Sequence, residues 1–321
     1  MDVTIAICTH NRRADLHRTL DGLRGLATPQ GPRFEIVIVD NASTDGTGDS
    51  VSTWQLDGVA TRVVPEPAVG LWRARNRAIE AAQGNYLLFI DDDVTVSPDL
   101  LAAYQRAIVE HPDAPFLGGP IVPVLDPPAS EMALAIAARQ PGVYSALDLG
   151  ADLQHLLPTD GPWGANCCIR MASIGAERFD PRFGYSGPES VSGDETEFLS
   201  RLFKRHGPGV WVPGARVDHR IPASRGTWEY LQRSAYGSGR ARVRLAVLHG
   251  RRRWTLPQML LTSHWRYWQL QRRSRHLSEN APLGDRIEME YRLWRARGAA
   301  DEAGDVLLRR SPIQRPPEQH R

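Results

Sequence analysis

Three carboxylates in a row, Asp91-Asp92-Asp93, follow the apolar run Tyr86–Ile90 directly. Adjacent carboxylates repel one another and weaken a purely structural turn, whereas a divalent cation offsets that repulsion. Hard oxygen ligands suit Mg²⁺ or Mn²⁺, which take one or two carboxylates together with substrate phosphates. Asp40 closes a second apolar run, Glu35–Ile38 and Val39, and leads into the turn-forming stretch Asn41–Gly46; a carboxylate there can accept hydrogen bonds from a ribose or a base. Arg73, Arg75, Asn76 and Arg77 open a helical stretch, and arginine forks match phosphate oxygens. Asp194 and Glu195 follow Gly193 at a helix start. They serve there as caps that favour the helix dipole, or one of them takes a proton from a hydroxyl nucleophile as a general base. His219, in Val217-Asp218-His219-Arg220, is either a metal ligand or a structural histidine.

The elements that position these groups are legible over the first hundred residues. Val3–Cys8, Glu35–Asp40, Thr61–Val64 and Tyr86–Ile90 read as strands. Between them, Leu16, Leu20 and Leu23 recur at helical spacing, and Leu71–Ala82 reads as a helix stopped by Gly84. Ser97-Pro98-Asp99 predicts a helix start running to Glu110. Strands alternating with helices imply parallel pairing by right-handed crossovers, and nearly continuous apolar strands imply a sheet covered on both faces. Ligands of such sheets bind beyond the carboxyl ends of the strands, which is where Asp40 and Asp91 fall. Further along, Phe116–Val124 reads as one strand and Pro127–Gly161 as mixed loop and helix. A helix carrying Phe198, Leu199 and Leu202 follows Asp194, and the chain beyond about residue 227 reads as mostly helical.

Length and composition set the outer bounds. The 321 residues are 41% hydrophobic and 24% charged, enough for a substantial core and unlike a disordered chain. The net charge of +2 is an average of unlike halves: residues 1–224 carry 19 basic and 28 acidic residues, and residues 225–321 carry 20 and 9. An acidic body with a basic tail points to an interaction surface in the tail. Cys8, Cys167 and Cys168 make neither a disulfide framework nor a zinc spacing, so a reducing cytoplasm is expected. The start MDVTIAICTHNRR predicts no signal peptide, and no stretch reaches the roughly 18 apolar residues that span a bilayer.

Taken together in order, VTIAICTHNR, IVIVDNASTDGT, GLWRARNRAIEAAQGNYLLFIDDDV, GANCCIR with RFDPRFG, and GDETEFLSRL resemble family-2 glycosyltransferases over about residues 3–240. The resemblance implies an α/β GT-A (Rossmann-like) fold with a mostly parallel central sheet flanked by helices. It implies a catalytic domain over 1–224, with nucleotide-sugar binding in 1–125 and the acceptor side in 126–224, followed by a basic helical extension over 225–321. By the same resemblance, Thr9 and Asn11 lie beside the nucleotide and Asp40 binds the base or ribose. Arg75 approaches the nucleotide or diphosphate. Asp91, Asp92 and Asp93 form the DxD segment on the donor, with Asp91 and Asp93 as metal ligands and Asp93 the more direct one. Gly164 and Asn166 line the acceptor side, and His219 falls where some relatives place a metal-ligating histidine. The family often shows Glu-Asp before the leucine-rich helix, with the Asp as base. Here the order is Asp194-Glu195, and counting back from Arg201-Leu202 aligns Glu195 with the base, Asp194 remaining the alternative.

The implied reaction is a single displacement with inversion. A nucleoside diphosphate-sugar, UDP-sugar by default, gives its sugar to a hydroxyl of a glycan, a lipid-linked intermediate or a secondary metabolite, with Mg²⁺ or Mn²⁺ as cofactor. A nucleotidyltransferase, the rival of the same fold type, calls for a Gly-rich basic loop after the first strand, and Thr9-His10-Asn11-Arg12 stands there instead. A non-catalytic relative has no use for Asp91, Asp93 and the 194/195 carboxylates. In the tail, arginine clusters at 240–244, 251–253 and 272–275 flank Leu256, Met259, Leu260, Trp265 and Trp268. Three expectations follow: packing on the acidic core with the tryptophans buried, a homodimer interface, or peripheral contact with an anionic membrane. The clusters carry no nucleic-acid reading motif, so nucleic acid is not an expected partner.

Overall fold

A computed structural model describes residues 2–26, 33–184, 191–249, 255–275, 281–308 and 310. These residues form two compact units. The first gathers 1–124, 145–179 and 194–220; the second gathers 125–144, 180–193 and 221–321. At its last crossing this division falls near the sequence boundary at 224, but 125–144 and 180–193 group with the C-terminal helices.

The first unit begins with β1 (Asp2–Thr9), α1 (Arg13–Leu23), β2 (Arg33–Asn41), α2 (Thr47–Val51), β3 (Ala60–Glu66), α3 (Leu71–Ala81) and β4 (Tyr86–Asp91). β5 (Val94–Val96), α4 (Leu100–Glu110), β6 (Phe116–Gly118) and β7 (Ile121–Leu125) follow. The expected single strand over 116–124 is two. Pro120 has no N–H to extend a ladder, and a Cβ at Gly119 would collide with the Ala215 carbonyl, so the chain turns there. Helix α4 starts at Leu100 rather than 97; Ser97 accepts the Leu100 N–H in a preceding turn.

After α5 (Glu131–Arg139), the elements are β8 (Gln154–Leu156), β9 (Cys167–Arg170), α6 (Met171–Ile174), α7 (Asp194–His206), β10 (Gly209–Trp211) and β11 (Val217–Ile221). Among the described residues the main sheet runs β3-β2-β1-β4-β9-β6-β10-β8. β3, β2, β1 and β4 pair in parallel, as the alternating pattern requires. β9 enters antiparallel between β4 and β6, a reversal possible because no crossover helix leads into it. A second sheet, β5-β11-β7, brings β11 beside the chain that leaves the three aspartates. The core is the continuous apolar content of β1, β2 and β4 covered by Leu16, Leu20 and Leu23 of α1, Ala74 and Ala78 of α3, and Phe198 and Leu202 of α7. Register puts Thr9 beside Asp40 and Cys8 beside Asp91, so all four sit on one carboxyl edge.

The second unit is built on α5, α8 (Trp228–Leu248), α9 (Thr255–Arg275) and α10 (Leu283–Leu307). Thr227 caps α8 by accepting the Tyr230 N–H, and Ser130 caps α5 through the Ala133 N–H. Two members of the expected basic clusters are internal: buried Arg240 and Arg244 both donate to Glu302 of α10, at 2.7 and 3.0 Å. Met259 and Leu260 pack inward. The expectation of buried tryptophans fails at Trp265 and Trp268, which are 61% and 47% exposed, because the inner face of α9 is filled by Ser263 and Leu270 instead. Arg251–Arg253 lie outside the described residues, as does the side chain of Leu256. No helix among the described residues is long and apolar enough to cross a membrane.

Removing one partner of a buried ion pair costs about 3–5 kcal/mol, because the other charge stays buried. Glu302→Ala, which strips Arg240 and Arg244 of their shared carboxylate, should therefore destabilise the helical unit by about 3–5 kcal/mol, read by urea unfolding followed by circular dichroism. A loss below about 1 kcal/mol, the level of an exposed pair, would contradict this role.

Candidate active site

The carboxyl edge of β1, β2 and β4 is a meeting point of loops that lock one another. Asn11, at φ 53°, offers its N–H to Ser43 Oγ (3.0 Å) and accepts the Thr44 N–H on Oδ1 (2.7 Å). His10 Nδ1 lies 2.6 Å from the Asn41 carbonyl. Asn41 itself is buried; it accepts the Gly70 N–H (2.8 Å) and donates to the Ala68 carbonyl (2.7 Å), tying the end of β2 to the start of α3. Asp40 accepts the Ser43 N–H (3.2 Å), and a Cβ at residue 48 would collide with its carboxylate, which accounts for Gly48. Asn11 and Asp40 thus sit side by side at the mouth of the first two strands, Asn11 exposed and Asp40 half-buried.

Asp91, Asp92 and Asp93 diverge after β4. Asp91 and Asp93 converge with His219 of β11, and one ligand atom from each lies within 4.8 Å of the others. His219 Nε2 is 3.2 Å from Asp93 Oδ1. The register that pairs His219 with Val94 brings it there from a strand 126 positions further on. Two carboxylates and an imidazole make an oxygen-nitrogen set able to hold a divalent cation. Burial, and then the charge of Asp93, pushes Asp91 above the usual carboxylate range. That is the signature of a charge cluster lacking compensation.

Asp92 points elsewhere. It is buried, accepts the Thr9 hydroxyl (2.7 Å), and lies 3.0 Å from Arg12 Nε; burial pushes it up to about 7, with Arg12 opposing. Thr9 braces Asp92, and its hydroxyl proton is committed to that carboxylate. Arg12 also reaches Asp93 (2.9 Å) and Asp15 (2.8 Å). Sequence reading singled out neither this arginine's role nor Asn41. The signal for Arg12 was a pair of cations, Arg12-Arg13, just after the first strand, near the end at which three acids gather.

Arg75 is buried on α3 and pairs with both Asp194 and Glu195, reaching Glu195 Oε1 at 2.6 Å. The residue expected near a diphosphate is thus engaged with the candidate bases. Its guanidinium stacks 5.3 Å from the Phe179 ring, which Asn76 fixes by bonding both the N–H and the carbonyl of Phe179. Arg73 and Arg77 remain at the surface, over Trp72 and beside Glu80. The Gly164 N–H donates to Glu195 Oε1 (3.0 Å), and a Cβ at 164 would overlap the Arg75–Glu195 contact, so glycine is required there. Asn166 does not fit the acceptor-side expectation. It is fully buried, accepts the Tyr104 hydroxyl (2.7 Å) and donates to the Ala215 and Pro120 carbonyls, so its side chain is spent on structure.

The two carboxylates are shifted in opposite directions. Burial pushes Asp194 well up, against Arg75. Glu195 is also penalised by burial, but Arg75, the hydrogen bond with Asp194 and the Gly164 N–H bring it down to about 2.

The sequence profile of "Glycosyl transferase family 2" matches residues 4–147. The succinoglycan biosynthesis protein ExoM of Rhizobium meliloti is 26% identical over 267 residues, covering 80% of both chains. The glucosyl-dolichyl phosphate glucuronosyltransferase of Haloferax volcanii is 22% identical over 260 residues, covering 78% of this chain and 79% of the relative. Among solved structures, the mannosyltransferase PcManGT of Pyrobaculum calidifontis, in complex with GDP-Man and Mn²⁺, superposes with a TM-score of 0.53 at 19% identity, over 95% of this chain and 75% of that one. TarS of S. aureus in complex with UDP-GlcNAc gives 0.53 at 13% identity, over 96% and 92%.

A carboxylate whose folded pKa lies below its unfolded value stabilises the fold above the unfolded value and loses that contribution as pH falls. Glu195, brought from 4.5 to about 2, should stabilise the protein fully above pH 4.5 and progressively less toward pH 2. The stability advantage of wild type over Glu195→Gln should shrink across that window in acid-unfolding curves, and an advantage that does not change with pH would contradict the assignment. Residues 4–147 match the family-2 glycosyltransferase profile, most of the chain is similar to transferase enzymes of that kind, and its fold is that of GT-A structures.

Proposed function

We propose that this enzyme moves a sugar from a nucleoside diphosphate-sugar to an acceptor hydroxyl by a single inverting displacement, with Glu195 as general base. The observation that carries the reading is the convergence of Asp91, Asp93 and His219 on the sheet edge, within the same unit as a second carboxylate pair held by Arg75. A half-buried carboxylate, a buried carboxylate and a buried imidazole fit Mn²⁺ or Mg²⁺, with the nitrogen donor favouring Mn²⁺. When bound, the ion offsets the charge that develops on the departing diphosphate.

The chain's own groups do the rest. Asp40 and Asn11, at the mouth of β1 and β2, are placed for the ribose and base of the nucleotide. Arg12, which already spans Asp92 and Asp93, keeps the acidic segment extended. Glu195 is ionised and takes the proton of the acceptor hydroxyl as its oxygen bonds to the anomeric carbon. The bond from that carbon to the diphosphate oxygen breaks on the opposite face. Arg75 holds Asp194 and Glu195 side by side at the start of α7. Solved neighbours were captured with GDP-Man and with UDP-GlcNAc; a UDP-sugar is our first choice of donor.

The acceptor side is read from the relatives and the tail. One relative is named for action on glucosyl-dolichyl phosphate, which supports a lipid-linked acceptor. Leu261, Trp265 and Trp268 are exposed along α9, a helix with four arginines and no carboxylate. Such a face supports peripheral contact with an anionic membrane surface, reached from a reducing compartment that suits the free thiols Cys8, Cys167 and Cys168.

A panel of nucleoside diphosphate-sugars with and without Mn²⁺, followed by thermal shift and slow donor hydrolysis, tests the donor reading. One donor should stabilise the protein only with metal present, and Asp93→Ala should abolish that shift. Glu195→Gln should retain the shift and lose transfer by at least a hundredfold, the low end of general-base effects of roughly 10²–10⁴. Transfer that survives in Glu195→Gln and vanishes in Asp194→Asn would move the base to Asp194.

A further inference from the structure

The helical unit carries an open surface concavity of about 370 Å³ rimmed by four exposed guanidinium groups: Arg242 from α8, Arg266 from α9, and Arg292 and Arg295 from α10. Its volume lies within the range of roughly 300–1,000 Å³ typical of small-molecule sites. One carboxylate, Glu288, joins the lining, and it is ion-paired to Arg292 one turn along the same helix. Arg266 and Arg295 have no side-chain partner among the described residues. Ser263, buried on α9, and Tyr291 add hydroxyls to the wall.

Helix packing explains the convergence. Glu288, Arg292, Arg295 and Ala299 fall at helical spacing on one face of α10. That face meets α8 at unusually short range. A Cβ at Gly239 would collide with the Arg295 carbonyl, and a Cβ at Gly298 with the Tyr236 carbonyl. The two glycines let the backbones touch, which sets Arg242, three residues beyond Gly239, across from Arg295. Like charges gathered around one space repel each other, and nothing in the lining offsets Arg266 and Arg295.

We propose that this concavity is a second anion site, independent of the donor site and of any metal, which takes the phosphate or diphosphate group of an ester. Arg266 and Arg295 are its direct ligands, and Tyr291 and Ser263 supply neutral donors. Planar guanidinium forks match phosphate oxygens two at a time. A soluble ester and a lipid headgroup both present this chemistry; Leu261, Trp265 and Trp268, exposed on α9, suit the lipid-borne source.

The test is calorimetric titration of the full chain with inorganic diphosphate in excess EDTA, which removes the metal on which donor binding is proposed to depend. Saturable binding is expected, weakened at least tenfold in Arg266→Gln/Arg295→Gln and unchanged in Arg106→Gln, a control at an exposed arginine of the first unit. If the double variant loses thermal stability, the two single variants carry the comparison. No saturable binding in EDTA, equal binding by the double variant, or equal loss in the control would overturn the proposal. A second arm uses phosphatidylcholine vesicles with and without phosphatidylglycerol. Co-sedimentation that needs the anionic lipid and is lost in the double variant assigns the anion to a headgroup; diphosphate binding without co-sedimentation assigns it to a soluble ester.

Discussion

Crowded negative charge at the carboxyl edge of the sheet is the constraint on which the rest of this fold turns. β4 is apolar and buried, and it delivers three carboxylates in succession to one place. Leaving them unpaired in a poorly solvated edge is costly. The surrounding structure reads as a set of answers to that cost. Arg12 spans Asp92 and Asp93, the Thr9 hydroxyl bonds Asp92, and His219 is carried in on β11 to meet Asp93. The answer is incomplete at Asp91, whose carboxyl remains pushed up by burial and by its neighbour. The cation proposed for Asp91, Asp93 and His219 would complete it. The 194/195 pair presents the same problem with a different solution: one guanidinium, Arg75, shared by two acids, with Asp194 pushed up and Glu195 held down.

This logic separates what the sequence discloses from what it does not. The strands ending in Asp40 and Asp91 are legible because apolar runs followed by acids and turn residues are local patterns. So is the helix start at Asp194. The pairings that define the site are between residues far apart in the chain: Arg75 with Asp194 across 119 positions, Arg12 with Asp93 across 81. No local pattern records them. Thr9 and Asn166 show the complementary limit. Their polarity and place in the motifs fit contact with a ligand, but each is buried with its hydrogen bonds taken by the protein. Only the three-dimensional account of donors and acceptors separates a polar group held for structure from one held for substrate. The antiparallel entry of β9 escaped for a similar reason, since a four-residue strand pairs in either sense and its neighbours decide.

The C-terminal charge also resolves into parts. Arg240 and Arg244 are consumed by Glu302 inside the unit. Arg242, Arg266, Arg292 and Arg295 rim an open concavity. Arg272 stacks on exposed Trp268, 4.0 Å from its ring centroid. A basic tail that composition presents as one feature is thus three, with an internal structural share, a concave share and a share on an exposed aromatic face. The acidic excess of the first 224 residues is likewise partly the proposed site, in Asp40, Asp91, Asp92, Asp93, Asp194 and Glu195.

The central claim is that Asp91, Asp93 and His219 hold one divalent cation. Its most direct test is pulsed electron paramagnetic resonance of Mn²⁺ added at less than one equivalent, with a nucleoside diphosphate present. The account predicts bound Mn²⁺ with hyperfine coupling to one imidazole nitrogen, lost on His219→Asn while some Mn²⁺ remains bound through the two carboxylates. Tightly bound Mn²⁺ showing no nitrogen coupling, or a coupling that persists in His219→Asn, would contradict it.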